Sequence, residues 1–201
     1  MAIDGCRYPS RPHRRKHGPR GYRSAIEFRP WLRDEFTFCC VYCLEREQWV
    51  NRIGHFHGDH FRPVVDNPGL ALEYDNLLYV CQACNFRKGQ QAVPDPLRVL
   101  LSGAVNVRRD GSIRGRTREA KRLIEALRLD SPSYRQRRRL MIEIVRMAAR
   151  FNPILYRELM GFPADLPNLA VLRPPGGNTR PAGVKKSCYA LRHQSKLSKT
   201  Y

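Results

Sequence analysis

The sequence predicts an α+β fold: a small core of short strands closed by cysteine knuckles, an all-helical C-terminal half, and basic flexible termini. Three observations predict it. Two Cys-x-x-Cys knuckles, Cys40/Cys43 and Cys81/Cys84, bracket a stretch that holds aromatic and β-branched residues. Apolar residues then recur at three- and four-residue spacing beyond residue 117. Both ends are dense in Arg, Pro and Gly and show little apolar periodicity.

Taken in order, residues 1–23 read as a basic arm. Residues 30–36 suit a short helix, since Pro30 is tolerated in a first turn. Residues 36–40 and 48–56 are expected as strands, with Trp49, Phe56 and Phe61 as core mass rather than base-stacking platforms. Asp66-Asn67-Pro68-Gly69 is turn chemistry. Residues 76–80 read as a buried connector into the second knuckle, with a helix opening near Cys84. Residues 105–113, around Asp110-Gly111, suit a two-stranded hairpin. The 117–129 segment places Ala120, Leu123, Ile124 and Leu127 on one helix face. Ser131-Pro132 opens a helix to about residue 151, with Leu140, Ile144, Met147 and Phe151 expected inward. Arg137, Arg138 and Arg139 would face solvent or a phosphate backbone. Asn152-Pro153 repeats the opening for a helix ending near Met160. Residues 166–201 contain Pro174-Pro175-Gly176-Gly177 and no acidic residue, and read as a second flexible tail.

Charge narrows the partners. The 201 residues carry 37 Lys+Arg against 18 Asp+Glu, a formal net charge of +19. Such a surface draws polyanions, of which nucleic acid is the commonest large one. No apolar run approaches the ~20 residues that span a bilayer, and nothing at the N-terminus resembles a signal peptide. A cytoplasmic chain without a membrane partner is expected. Seven cysteines in such a chain point to metal rather than disulfides. Cys40, Cys43, Cys81 and Cys84 suit a closed tetrahedral zinc site. Cys39, in a looser Cys-x-x-x-Cys pair, is the alternative to Cys40.

The residues between the knuckles carry the chemistry. Breaking a phosphodiester needs a water-derived nucleophile, charge neutralisation at phosphorus and help for the leaving oxygen. Asp59 and the Asn85 amide offer hard oxygen ligands to a divalent ion, and His60, adjacent to Asp59, is the natural base. His57 lies two before Asp59, on the same face of an extended segment. His57, Arg62 and Lys88 are candidates for phosphate or nucleic-acid contact, and Arg87 for a solvated face.

The string His55-Phe56-His57-Gly58-Asp59-His60-Phe61-Arg62-Pro63, then Asn76-Leu77, then Cys81 to Gly89 with Asn85 and Lys88, resembles an HNH endonuclease. It is most similar to the variant whose last motif position is Asn rather than His. The resemblance covers about residues 36–90. It implies a ββα-metal fold, Asp59 and Asn85 as ligands of one catalytic ion, His60 as general base, and Asn76 as the brace of the loop bearing that base. The four cysteines would be the zinc clamp of many members. The Asn ending favours Mg²⁺ or Mn²⁺ at the catalytic site. The implied activity is DNA hydrolysis leaving 5′-phosphate and 3′-hydroxyl ends. The wording also resembles stand-alone bacterial HNH proteins, some of them in phage defence. Expected organisation is then an arm (1–23), a nuclease domain with the zinc site (24–112), a helical region (113–165) and a tail (166–201). A noncatalytic zinc-stabilised nucleic-acid-binding protein, and a nuclease subunit that needs a partner such as an ATPase, are the competing readings.

Overall fold

The computed structural model describes residues 5–50 and 55–201. A short 3₁₀ turn, Ala25–Phe28, opens on a capping box in which Ser24 and Glu27 satisfy each other's backbone donors. It leads into helix α1 (Arg29–Glu35), with Pro30 in the first turn as expected. Strand β1 (Phe56–His60) then pairs antiparallel with β2 (Leu77–Cys81), in a register that sets Asp59 opposite Leu78 and His60 opposite Leu77. Helix α2 (Gln82–Lys88) follows β2 without a loop, because Cys81 itself takes the extended N-cap conformation.

Helix α3 (Pro96–Val99) leads to a second sheet of β3 (Val105–Val107) and β4 (Ile113–Gly115). Three helices come next: α4 (Arg118–Ala126), α5 (Pro132–Phe151) and α6 (Pro153–Met160). Thr117 and Asn152 cap α4 and α6 through their side chains. Helix α7 (Cys188–His193) closes the chain. The arrangement is α+β, with small antiparallel sheets and helices around a four-cysteine cluster. One buried cluster runs from Tyr8 through both sheets and α4 to Leu169, so the cysteine-bearing unit and the helices share a core. Among the described residues no helix is long and apolar enough to cross a membrane.

Several expectations are corrected. Residues 36–40 form no strand, because Thr37 and Phe38 take left-handed φ values of 52° and 57° that no strand admits. The 48–56 segment holds a 3₁₀ turn, Glu47–Trp49, and its residues 51–54 lie outside the described ones. The strands lie later, and the supposed connector at 76–80 is most of β2. Trp49, Phe56 and Phe61 do pack inward: Phe56 is buried, Phe61 lies against the core, and the Trp49 indole donates to the Leu159 carbonyl.

Helix α5 buries the face opposite to the expected one. Ile142, Val145 and Ala148 face the core, with Arg138, whose guanidinium donates to the Gly111 and Leu129 carbonyls. Leu140, Ile144, Met147 and Phe151 lie on the surface. Small apolar residues and an arginine with two buried acceptors let α5 approach the β3–β4 turn. That approach requires Gly111, whose φ is +80° and whose added Cβ would lie 2.1 Å from the Arg135 carbonyl oxygen. Of the neighbouring arginines, Arg137 pairs with Glu45 and Arg139 is exposed.

Among the described residues, the basic arms are also not loose. Two buried carboxylates at the end of α1 draw the first arm in. Asp34 accepts from His17 (2.8 Å) and Lys16 (3.1 Å), and Glu35 accepts from the Lys16 and His17 amides. The Arg15 guanidinium lies over the Phe36 and Tyr74 rings. The second arm docks on the first: Pro19 bridges Asn178, and Arg180 donates to the His17 carbonyl and to Asp75. Cys188 N–H reaches Asp34 (2.6 Å). A charge run read as a solvated arm is here one whose counter-charges come from distant sequence.

Candidate active site

The β1–β2 hairpin and α2 bring the knuckles together. The Sγ atoms of Cys40, Cys43, Cys81 and Cys84 all lie within 4.8 Å of one another, and all four residues are buried. A tetrahedral ion with ~2.3 Å bonds to sulfur needs S···S edges of about 3.8 Å. Cys43 and Cys81 are 3.6 Å apart, so the cluster fits zinc. Cys40, not Cys39, belongs to it; Cys39 lies outside the cluster and bridges Arg46 through its backbone. Burial pushes the Cys40 thiol up, while hydrogen bonds from its three neighbours pull Cys81 down. Helix α5 covers the cluster: the Tyr134 hydroxyl is 3.2 Å from Cys84 Sγ, and Arg87 lies over the Tyr134 ring rather than in free solvent.

Asp59 sits near the end of β1, buried. Its Oδ1 accepts from Lys88 Nζ (3.1 Å) and its Oδ2 from the Tyr42 hydroxyl (3.3 Å). Burial pushes its carboxyl up, against the pull of the Lys88 ammonium. Lys88, expected at a phosphate, is turned inward. It is 2% exposed, and its three protons reach Asp59, the His60 carbonyl (2.7 Å) and the Gly89 carbonyl (3.5 Å). Asn85, half-buried, precedes Lys88 by three residues on α2. Residues at that spacing share a helix face, so Asn85 lies on the face that Lys88 turns toward β1.

His60 is half-buried, and its Nε2 lies 2.9 Å from the Ala71 carbonyl oxygen. A carbonyl only accepts, so Nε2 carries a proton, and a neutral ring in this tautomer has its lone pair on Nδ1. Ala71 lies in the 61–76 loop, and Asn76 closes that loop. Asn76 Oδ1 accepts from Arg62 N–H (2.8 Å), while Nδ2 donates to the carbonyls of Arg62 (3.1 Å) and Leu70 (3.2 Å). The Arg62 side chain is exposed, two residues beyond His60. His57 is half-buried on β1, paired with Val80.

Sequence reasoning missed three participants. Tyr42 sits between the first knuckle's cysteines, where nothing marks it as an Asp59 partner. The Ala71 carbonyl is backbone and leaves no side-chain signal. The buried pairing of Lys88 with Asp59 depends on how α2 crosses β1.

A hairpin, a following helix and a buried four-cysteine clamp define a small α+β metal-binding domain. Its family follows from comparison with known proteins: residues 40–91 match the model described as HNH endonuclease, about a quarter of the chain. The chain thus carries an HNH endonuclease domain, which supports nuclease activity in general and implies a nucleic-acid substrate. No curated protein matches the chain.

Proposed function

We propose that the protein is a metal-dependent endonuclease that hydrolyses phosphodiester bonds of DNA, with His60 as general base. The observation that carries this reading is the His60 ring, held through Nε2 by the Ala71 carbonyl so that Nδ1 is left to take a proton from water. Asn76 contributes by fixing the loop that presents this carbonyl. The donor set for the catalytic ion fits a hard dication. Asp59 keeps an oxygen whose only hydrogen bond among the described residues is a long one from Tyr42, and Asn85 adds an amide oxygen from the facing helix. Mg²⁺ or Mn²⁺ held by Asp59 and Asn85 would neutralise charge on the phosphate and assist the leaving oxygen. Zinc would occupy the cysteine cluster as scaffold. His57 and Arg62 would meet the substrate backbone, and the exposed Arg62 suits that role better than buried Lys88 does. The activity would be exerted in the cytoplasm. A defence role with a target-selecting partner such as an ATPase would show as cleavage only in that partner's presence.

One observation favours the noncatalytic reading, a zinc-stabilised nucleic-acid binder: Lys88 already satisfies one Asp59 oxygen. A single assay separates the two. Protein of measured zinc content is incubated with DNA and RNA in Mg²⁺ or Mn²⁺, alongside His60→Ala. We expect cleavage that falls at least ~100-fold in His60→Ala, in line with the loss of a general base, while zinc content stays unchanged. Full activity in His60→Ala would refute the role of His60. Absence of cleavage on every substrate, with binding intact, would favour the noncatalytic binder.

A further inference from the structure

Outside the HNH domain, a cavity of about 430 Å³ opens between the N-terminal segment, the β3–β4 hairpin and α5. Arg7, Arg108 and Arg116 line it with Ser10 and Asn106, over an apolar base that includes buried Ile142. No acidic residue is among the described residues that line it, and none of the three guanidiniums has an ion pair or side-chain hydrogen bond among the described residues. Asp110 acts on Arg108 through space, but its Oδ1 already accepts from the Ser112 amide and hydroxyl. Elsewhere in this molecule arginines meet carboxylates: Arg33 pairs with Glu47, Arg137 with Glu45 and Arg180 with Asp75. Three arginines left together around a concavity are a different arrangement.

The walls are fixed before any ligand arrives. The Arg108 and Arg116 amides bond to Ser112 and Ala104 carbonyls, which anchors the backbone from which both side chains leave. Ser10 packs so closely on Gly103, whose φ is +81°, that a Cβ there would lie 3.1 Å from its carbonyl oxygen. Tyr8 donates to the Tyr42 carbonyl at 2.5 Å, and the Tyr42 hydroxyl touches Asp59. One residue therefore joins the cavity wall to the candidate active site.

We propose that this cavity binds one nucleotide unit: its phosphate on Arg7, Arg108 and Arg116, its sugar and base over the apolar floor, with Asn106 and Ser10 as polar contacts. The volume falls in the range of small-ligand sites, and forked guanidiniums suit phosphate oxygens. The inference rests on the reading of the chain as a protein that acts on nucleic acid, and it supplies a second contact beyond the cleavage site.

The test measures binding without added Mg²⁺, so that its failure is distinct from a failure to cleave. A short single-stranded oligonucleotide, a nucleoside monophosphate and inorganic phosphate are titrated into the full chain. The same is done for the triple variant Arg7→Ala, Arg108→Ala, Arg116→Ala, and for a control losing equal charge from α4 and the turn after it, Arg118→Ala, Arg122→Ala, Arg128→Ala. The cavity triple should lose tenfold or more in oligonucleotide affinity and about 0.7 units of salt slope, as one neutralised phosphate on a single strand would predict. The control should lose less than threefold. Equal losses in the two triples, or none in the cavity triple, would overturn the proposal. Monophosphate binding that depends on the same arginines would assign a free nucleotide as a further source of the ligand; binding of phosphate alone, indifferent to them, would count against the site. Should the triple fail to fold, Arg116→Ala and Arg108→Ala singly should each lose about threefold, and no loss in either would refute the site.

Discussion

Lys88 is the side chain on which the candidate site turns. Its ammonium ties Asp59, the His60 carbonyl and the end of α2 into one cluster, all beneath the surface. Removing one partner of a buried pair leaves the other charge uncompensated, at about 3–5 kcal/mol. Lys88→Met should therefore lower unfolding stability by about that amount in urea titration, and Asp59→Asn in the same background should recover part of it. A loss below about 1 kcal/mol for Lys88→Met would show that the pair contributes little. The sequence singles out Asp59, His60, Asn76 and Asn85 because their residue types and spacing point to the proposed chemistry. It hid Lys88's role, since a lysine after a knuckle reads as a surface cation until α2 is seen to lie against β1.

Among the elements, α5 is the most instructive. Its ends were readable, because Ser131-Pro132 and Asn152-Pro153 are local signals of opening and closure. Its inward face was not, for two apolar stripes compete along it and only the facing surface chooses. The stripe of larger residues lost to one of smaller residues that fits beside the β3–β4 turn. Ile142→Ala should accordingly cost about 2–5 kcal/mol, while Met147→Ala should stay within about 0.5 kcal/mol; thermal unfolding of the two variants measures the contrast. If Met147→Ala costs as much as Ile142→Ala, the exposed stripe is covered in solution. The strands illustrate the same limit: aromatic and β-branched composition marks residues 36–40, yet a left-handed backbone at Thr37 and Phe38 turns the chain there instead.

For the molecule as a whole, the buried acids of α1 decide how the termini lie. Burial alone would push the Asp34 carboxyl up, but the His17 hydrogen bond, the Lys16 charge and the Cys188 amide bring it down to about 2. With the folded value below the unfolded value of 3.8, Asp34 adds stability above pH ~4 that fades as pH falls toward 2. The contribution is about 2 kcal/mol. Urea unfolding at pH 6 and pH 3 should show the loss, and Asp34→Asn should show less of it; an equal decline in both proteins would remove Asp34 from the account. The last donor to Asp34 is an amide 154 residues further along the chain, and the Arg180 contact to the His17 carbonyl spans 163 residues. Contacts at such separation close late in folding, after the loop between them has lost its freedom. A nascent chain that stalls before residue 178 would thus hold its cysteine cluster and its Asp-His pair, yet leave α1 with a buried carboxylate short of a donor. In this architecture the first helix is finished by an amide 154 residues away, so α1 gains its full set of donors only once residue 188 has docked.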